Sequence, residues 1–320
     1  MLTFAEIVSN LGFVLAIDHC ARGCAHCPAF GDRAPVQRAP YPDLAARVAG
    51  VAATRRRLGL RPGVGAAGRV VHCWRISDPL DYVTRLPGGD VATCADVAAL
   101  WRAQLGQGLY VVTNGSEASP MARRALTAFG DAPDLVSQVK LTITHADRSW
   151  DSPRYIPDLA WDVAALSRLW GLPSTRAEDP GGRRFRINVK TTPDRLVDIR
   201  ALVVAVLVRA GLSRATAETA CDDHSMVRFK PIYDLGNATG APSPVAGAVD
   251  LSTVGGGRYK PTPETRRGLQ YGIRPDGRLF VVDMYAFTEH DLGTAEHPLF
   301  WPADVEDADL HADLGVYADA

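Results

Sequence analysis

The sequence reads as an α/β protein built on a parallel sheet, and three features carry that reading. Short apolar runs alternate with longer stretches of helical spacing, and the alternation repeats across residues 12–231. Each strand-like run is followed by a helix-length stretch before the next, which is the pattern of βαβ units. Beyond residue 231 the pattern stops, dividing the chain into a core over 1–231 and a smaller extension over 232–320.

Taken in order, Gly12 to Ile17 (GFVLAI) opens the series as a short apolar strand, and 41–58 has the spacing and residue types of a helix. Val70 to Trp74 (VVHCW) reads as a second strand, followed by a helix over 93–106. Leu109 to Thr113 (LYVVT) is the third, with a helix over 117–128. Val139 to Thr144 (VKLTIT) is the fourth, with a helix over 158–170. Phe185 to Lys190 (FRINVK) is the fifth, with a helix over 195–210, and Met226 to Lys230 (MVRFK) is the sixth. Six units are too few for a closed eight-fold barrel. In the extension, Pro275-Asp276-Gly277-Arg278 separates the apolar runs Tyr271 to Arg274 and Leu279 to Met284, and an Asp-Gly turn so placed predicts a hairpin.

Composition excludes several classes. Hydrophobic residues at 47% and charged residues at 22% are ordinary for a soluble globular chain. A net charge of −1 provides no global basic field for nucleic acid or membranes. Arg55, Arg56 and Arg57 form a local basic knot, and 303–320 holds six acids without Lys or Arg; both read as solvated surface. No apolar stretch approaches the ~20 residues that span a bilayer. With no signal-peptide pattern at its start, the chain is expected to be cytoplasmic with reduced cysteines.

The densest chemistry lies just after the first strand, in Ile17-Asp18-His19-Cys20-Ala21-Arg22-Gly23-Cys24-Ala25-His26-Cys27. A C-x3-C-x2-C run puts three thiolates within eight residues. Structural zinc sites pair two knuckles to reach four ligands, and a lone knuckle of three suits zinc poorly. Six cysteines in 320 residues are also too sparse for a disulfide framework. Three thiolates can instead hold three irons of a [4Fe–4S] cluster and leave the fourth open, whereas a closed site uses four. Following a strand directly, the triplet falls at the C-terminal edge of the sheet, where active sites of parallel α/β architectures assemble.

This arrangement resembles the radical S-adenosylmethionine (radical SAM) enzymes, whose signature has the same spacing. The resemblance implies a partial (β/α)6 TIM-type barrel, open on one side, over the core. It further implies that Cys20, Cys24 and Cys27 ligate one [4Fe–4S] cluster whose open iron chelates SAM. One electron, delivered by a flavodoxin- or ferredoxin-type donor, then cleaves SAM to a 5′-deoxyadenosyl radical that takes hydrogen from the substrate. Ser77 and Asp78, in Ile76-Ser77-Asp78-Pro79-Leu80, stand where many relatives have a Gly-Gly-Glu-Pro-like turn, and Asp78 is placed to meet SAM's ammonium. Thr113-Asn114-Gly115 resembles the family's T-N-G run after the third strand. Thr142 and Thr144 share a face of the fourth strand, and Asn188 and Lys190 share a face of the fifth, where SAM or substrate would lie. His26 takes the place of an aromatic residue beside the adenine.

The extension is similar to the SPASM and twitch extensions of that family, which hold auxiliary clusters. Val282 and Asp283 stand where a ligating cysteine is expected, Asp291-Leu292-Gly293 follows, and no cysteine occurs after Cys221. One cluster is therefore expected, and with it a redox-neutral outcome such as epimerisation, rearrangement or carbon–carbon coupling. Cys221 is a candidate hydrogen-atom donor, with Cys73 as its alternative and a buried inert thiol as the default for both. The short segment before the first strand favours a small polar substrate: a sugar, aminocyclitol, nucleoside or amino acid. Arg75, Arg186 and Asp283 would suit such a molecule. Two other readings stay open: a peptide- or protein-modifying enzyme of the sulfatase-maturase type, and a non-enzymatic metal-binding regulatory domain.

Overall fold

A computed structural model describes residues 11–20, 35–63, 70–74, 77–145, 150–176, 179, 181–231, 269–283 and 289–294. The chain is mixed α/β, with a four-stranded parallel sheet flanked by helices. It begins with strands β1 (Leu11–Val14) and β2 (Ile17–Asp18), which lie in one unbroken buried run over 11–18. Strand β3 (Gln37–Arg38) pairs antiparallel with β2, and helix α1 (Tyr41–Arg57) follows.

The expected second strand is reduced to isolated bridges at Val70 and His72, the latter parallel to Phe13. Backbone bonds of 2.8 Å from Val14 N–H to His72 O and from Ala16 N–H to Cys73 O keep 70–74 alongside β1. A short hairpin follows, β4 (Val83–Arg85) against β5 (Val91–Thr93). The sequence reading passes over it, because its strands are three residues each and largely solvent-facing on β4. Helix α2 (Cys94–Leu105) starts where the Asp96 carboxylate accepts the Thr93 N–H at 2.7 Å, and it stops at Gly106 in the left-handed region, φ 69°. Its Trp101 donates Nε1–H to the carbonyl of Val71 at 3.1 Å, tying the bridge segment to the helix layer.

The parallel sheet follows in the order β6 (Leu109–Thr113), β7 (Val136–Thr144), β8 (Phe185–Thr191) and β9 (Val227–Pro231). The crossovers are helices α3 (Pro120–Asp131), α4 (Tyr155–Leu166) and, between β8 and β9, α5 (Leu196–Arg209) with α6 (Arg214–Asp222). Helix α3 begins three residues later than its spacing predicts, because Ser119 caps it and Pro120 takes its first turn. Helix α6 is separated from α5 by a turn at Gly211, φ 106°, and Ser213 caps it by accepting the Thr216 N–H at 3.1 Å.

Period-two alternation divides the two faces of this sheet. Val139, Leu141, Ile143, Phe185, Ile187, Val189, Val227 and Phe229 form an apolar, buried set that belongs to the core beneath the helices. The intervening residues are polar, which departs from the continuous apolar runs of a parallel sheet covered on both faces.

In the extension, β10 (Leu269–Ile273) and β11 (Arg278–Asp283) form the expected hairpin, and β12 (Glu289–Thr294) pairs with β11. The hairpin turns at Gly277, φ 91°. Strand β10 also pairs in parallel with β1, so the extension adds strands to the sheet that leads into the cysteine run.

The basic knot needs correction. Arg56 and Arg57 are exposed, but Arg55 is fully buried and hydrogen-bonds the carbonyls of Leu11 at 2.8 Å and Pro62 at 3.0 Å. It falls on the same helical face as Leu44, Val48, Val51 and Ala52, so α1 docks with that guanidinium as part of its buried stripe.

Candidate functional site at the strand ends

The C-terminal ends of β2, β6 and the bridge segment converge through side chains that the motifs supply. Asp18 closes β2 fully buried, and the Arg274 guanidinium reaches its Oδ2 at 2.6 Å while lying over the Phe280 ring. His19 then takes the left-handed conformation, φ 61°, and the chain bends there, immediately before Cys20, which is partly exposed. Cys24, Cys27 and His26 lie outside the described residues. Ser77 donates its hydroxyl to the Ile17 carbonyl at 3.1 Å, which holds the Ser77-Asp78 turn against the strand that leads to the cysteines.

Asp78 joins this turn to β6. Its Oδ1 accepts the Leu80 N–H at 3.0 Å, and its Oδ2 accepts the Thr113 hydroxyl and the Asn114 N–H, each at 2.9 Å. With donors from its own turn and from the end of β6, Asp78 is a positioning residue that ties the two segments together. The T-N-G run is built by the same contacts. Gly115 has φ 103° and donates its N–H to Thr113 Oγ1 at 3.0 Å, and a Cβ there would come 2.5 Å from Asp162 Oδ2. Asp162 in turn accepts the Ser116 hydroxyl at 2.6 Å and the Ser116 N–H at 2.8 Å. Burial nonetheless pushes its pKa up, to about 6. A cavity of about 210 Å³ opens beside Asn114, lined by Glu117, Tyr155, Asp158 and Asp162.

The polar face of the sheet completes the region. Register puts Thr142 beside Asn188 and Asn188 beside Arg228; one layer nearer the C-terminal edge, Thr144 sits beside Lys190 and Lys190 beside Lys230. The expected residues of β7 and β8 therefore do share two layers. Arg228 and Lys230 of β9, which the sequence reading missed, extend both; the alternation in Val227-Arg228-Phe229-Lys230 was the signal that could have found them. Toward the opposite edge, Gln138 and Arg186 each donate to Asp179 Oδ2 at 2.8 Å, and Lys140 donates to the Tyr110 hydroxyl at 3.0 Å. Arg186, expected to suit a small polar substrate, is thus 1% exposed and engaged in a buried pair with Asp179. Arg75 and the side chain of Asp283 lie outside the described residues.

The electrostatics follow from this crowding. Burial lowers the Lys230 pKa to about 7, helped by the neighbouring charges of Lys140, Lys190, Arg228 and Arg186. Lys140 is held well below its ordinary value by burial and by Arg176, Arg186 and Arg228. Asp179 goes the other way. Its burial would raise it, but the Gln138 hydrogen bond and the cations Arg186, Lys140 and Arg228 hold it down at about 2.

Cys221 is placed elsewhere. It is buried on α6, and the charges that act on it are Arg200 of α5 together with Asp222 and Glu218 of α6. Burial raises its thiol to about 11, so it keeps its proton at neutral pH; the buried Cys73 and Cys94 thiols are raised well above their ordinary value by the same cause. Among the described residues no group of three or more His, Cys, Asp or Glu side chains could hold a metal ion, and two members of the cysteine triplet are not among them. No described helix is long and apolar enough to cross a membrane. Comparison of the chain with protein-family models and with curated proteins found no match.

Proposed function

We propose that the protein is a radical SAM enzyme whose core is a partial (β/α)6 barrel, acting on a small polar substrate with a redox-neutral outcome. The observation that carries this reading is the C-x3-C-x2-C run in the sequence, whose first cysteine follows buried β2, the strand that Ser77 holds and that Asp78 links to Thr113-Asn114. Soft thiolates in that number suit an iron–sulfur cluster that keeps one iron open. Cys20, Cys24 and Cys27 would hold it, and a flavodoxin- or ferredoxin-type protein would reduce it. Together with SAM, the cluster supplies one-electron reduction and hydrogen-atom abstraction.

The chain's own residues bind and orient. Ser77 keeps its turn against the Ile17 carbonyl, and Asp78 fixes the Asn114 backbone, so the start of the loop after β6 is held in one arrangement beside the Ser77-Asp78 turn. Thr142, Thr144, Asn188 and Lys190 offer hydroxyl, amide and amine groups in two layers of the polar face, the layer of Thr144 and Lys190 nearer the C-terminal edge. Asp162, held with Ser116, shapes the cavity beside Asn114.

Anaerobic reconstitution with iron and sulfide tests the reading. The expected results are a brown protein absorbing near ~400 nm and release of 5′-deoxyadenosine from SAM after reduction. Cys20→Ala, Cys24→Ala and Cys27→Ala should each abolish both. Zinc in place of iron, or cluster uptake without 5′-deoxyadenosine, would defeat the proposal.

A further inference from the structure

We infer that the polar face of the parallel sheet is a seat for an oxyanion of the substrate, a phosphate ester or a carboxylate, held by Asn188 and Arg228 with Lys190 and Lys230 at its mouth. This rests on the reading above for the substrate's role, though not for the seat itself.

The argument begins with where the cations are. Lys140, Arg186, Lys190, Arg228 and Lys230 come from three neighbouring strands and lie on one face of them, in register. The largest charge effects on Lys230 come from cations, Lys140, Lys190, Arg228 and Arg186. Asp179 is an acid that acts on Lys140 and Arg228, and it is already committed to Arg186 and Gln138 toward the opposite edge. Like charges at close range inside a protein are relieved when a lysine gives up its proton or when a ligand of opposite sign binds, and a bound anion would return that proton to Lys230.

A second observation points inward. Arg228 is 8% exposed and Asn188 is 6% exposed, and they are register neighbours. Among the described residues, Arg228 Nε and Asn188 Oδ1 are buried with no hydrogen-bond partner. Buried polar atoms are nearly always satisfied, so two orphans side by side mark a place that a ligand completes. A guanidinium N–H and two ammonium groups suit oxyanions, which take charge-assisted hydrogen bonds from them. The orphaned amide oxygen accepts from a hydroxyl, so the ligand has an O–H next to its anionic group. A hydroxylated phosphate ester or hydroxy acid fits this set better than the amine-rich molecules also compatible with the sequence.

Calorimetric titration of the full chain with glycerol 3-phosphate, a hydroxylated phosphate ester, and with citrate, a hydroxy acid, before and after iron loading, tests the seat and separates the two anion classes. Saturable binding is expected for one of them, weakened roughly tenfold or more in Arg228→Gln/Lys230→Gln. No saturable binding to the unsubstituted chain, or an unchanged Kd in the double variant, would overturn the inference. Should that variant fail to fold, amine acylation at pH 8 read by mass spectrometry serves instead. The anion should then protect Lys190 and Lys230 in the unsubstituted chain, and unchanged labelling would overturn the inference. With iron-loaded protein, anion and SAM should bind together; displacement of the anion by SAM would assign the seat to SAM's carboxylate and defeat the substrate assignment. Anion binding by a chain that takes up no iron would leave the seat standing and remove the radical SAM reading, and the reverse result would do the opposite.

Discussion

Arg274, at the turn of the β10–β11 hairpin, places Nη1 2.6 Å from Oδ2 of Asp18, two positions before Cys20. The pair joins residues 256 apart in sequence, and Asp18 is completely buried while Arg274 is 20% exposed on its side chain. The extension therefore stabilises the base of the cysteine run directly, by this ion pair and by the β1–β10 pairing.

Arg274→Met should destabilise the fold by about 3–5 kcal/mol, because it strands a buried carboxylate whose remaining described contact is the His19 N–H at 3.1 Å. Urea unfolding would show a lower midpoint, and iron retention should fall with it. Adding Asp18→Asn should recover part of the loss. Additive losses in the double variant would contradict a direct interaction.

Asp78→Ala should cost about 2–4 kcal/mol, since it leaves the Thr113 hydroxyl and the Leu80 and Asn114 N–H groups without their acceptor. Asp78→Asn keeps the shape and some acceptor capacity and should cost less. An equilibrium unfolding midpoint unchanged in Asp78→Ala would show that this carboxylate does not organise the turn.

Gly130→Ala should be destabilising although alanine favours helices by ~1 kcal/mol over glycine. Its Cβ would stand on the backbone carbonyl of Ala165, where α3 and α4 approach each other. Relief requires the helices to part, at a cost of about 1–3 kcal/mol. A rise in Tm would refute the close approach.

Stability should increase with pH between about 7 and 9. Lys230 has a folded pKa of about 7 against an ordinary 10.5, so between those values the unfolded chain holds a proton that the folded chain has released. The unfolded state then binds more protons, and stability rises by up to ~1.4 kcal/mol per pH unit until cysteine ionisation in the unfolded chain, near 9.0, opposes it, because the buried Cys73, Cys94 and Cys221 keep their protons in the fold. Lys140, lowered in the same direction, adds to the rise. Lys230→Met should flatten the slope measured by urea unfolding at pH 7.5 and 9. Equal slopes in the two proteins would show that Lys230 is not the titrating group.

The sequence by itself determined the α/β class, the order of strands and helices from Leu109 to Lys230 apart from helix α6, the C-terminal hairpin and the motifs themselves. These are local properties: alternation of period two, helical spacing, an Asp-Gly turn, and thiolates a few residues apart. What it could not decide is what each polar side chain meets. The acid of Ser77-Asp78-Pro79 could be read from the sequence, but its engagement with Thr113 and Asn114 depends on two strand ends lying side by side. Arg55 belongs to a run of three arginines, and only the docking of α1 makes it a core residue bonded to Leu11. Val70 to Trp74 has the composition of a strand, yet its neighbours give it only isolated bridges among the described residues. Arg228 and Lys230 become a site only beside Asn188 and Lys190, because the register of parallel strands, set by the apolar face beneath the helices, decides which cations share a layer.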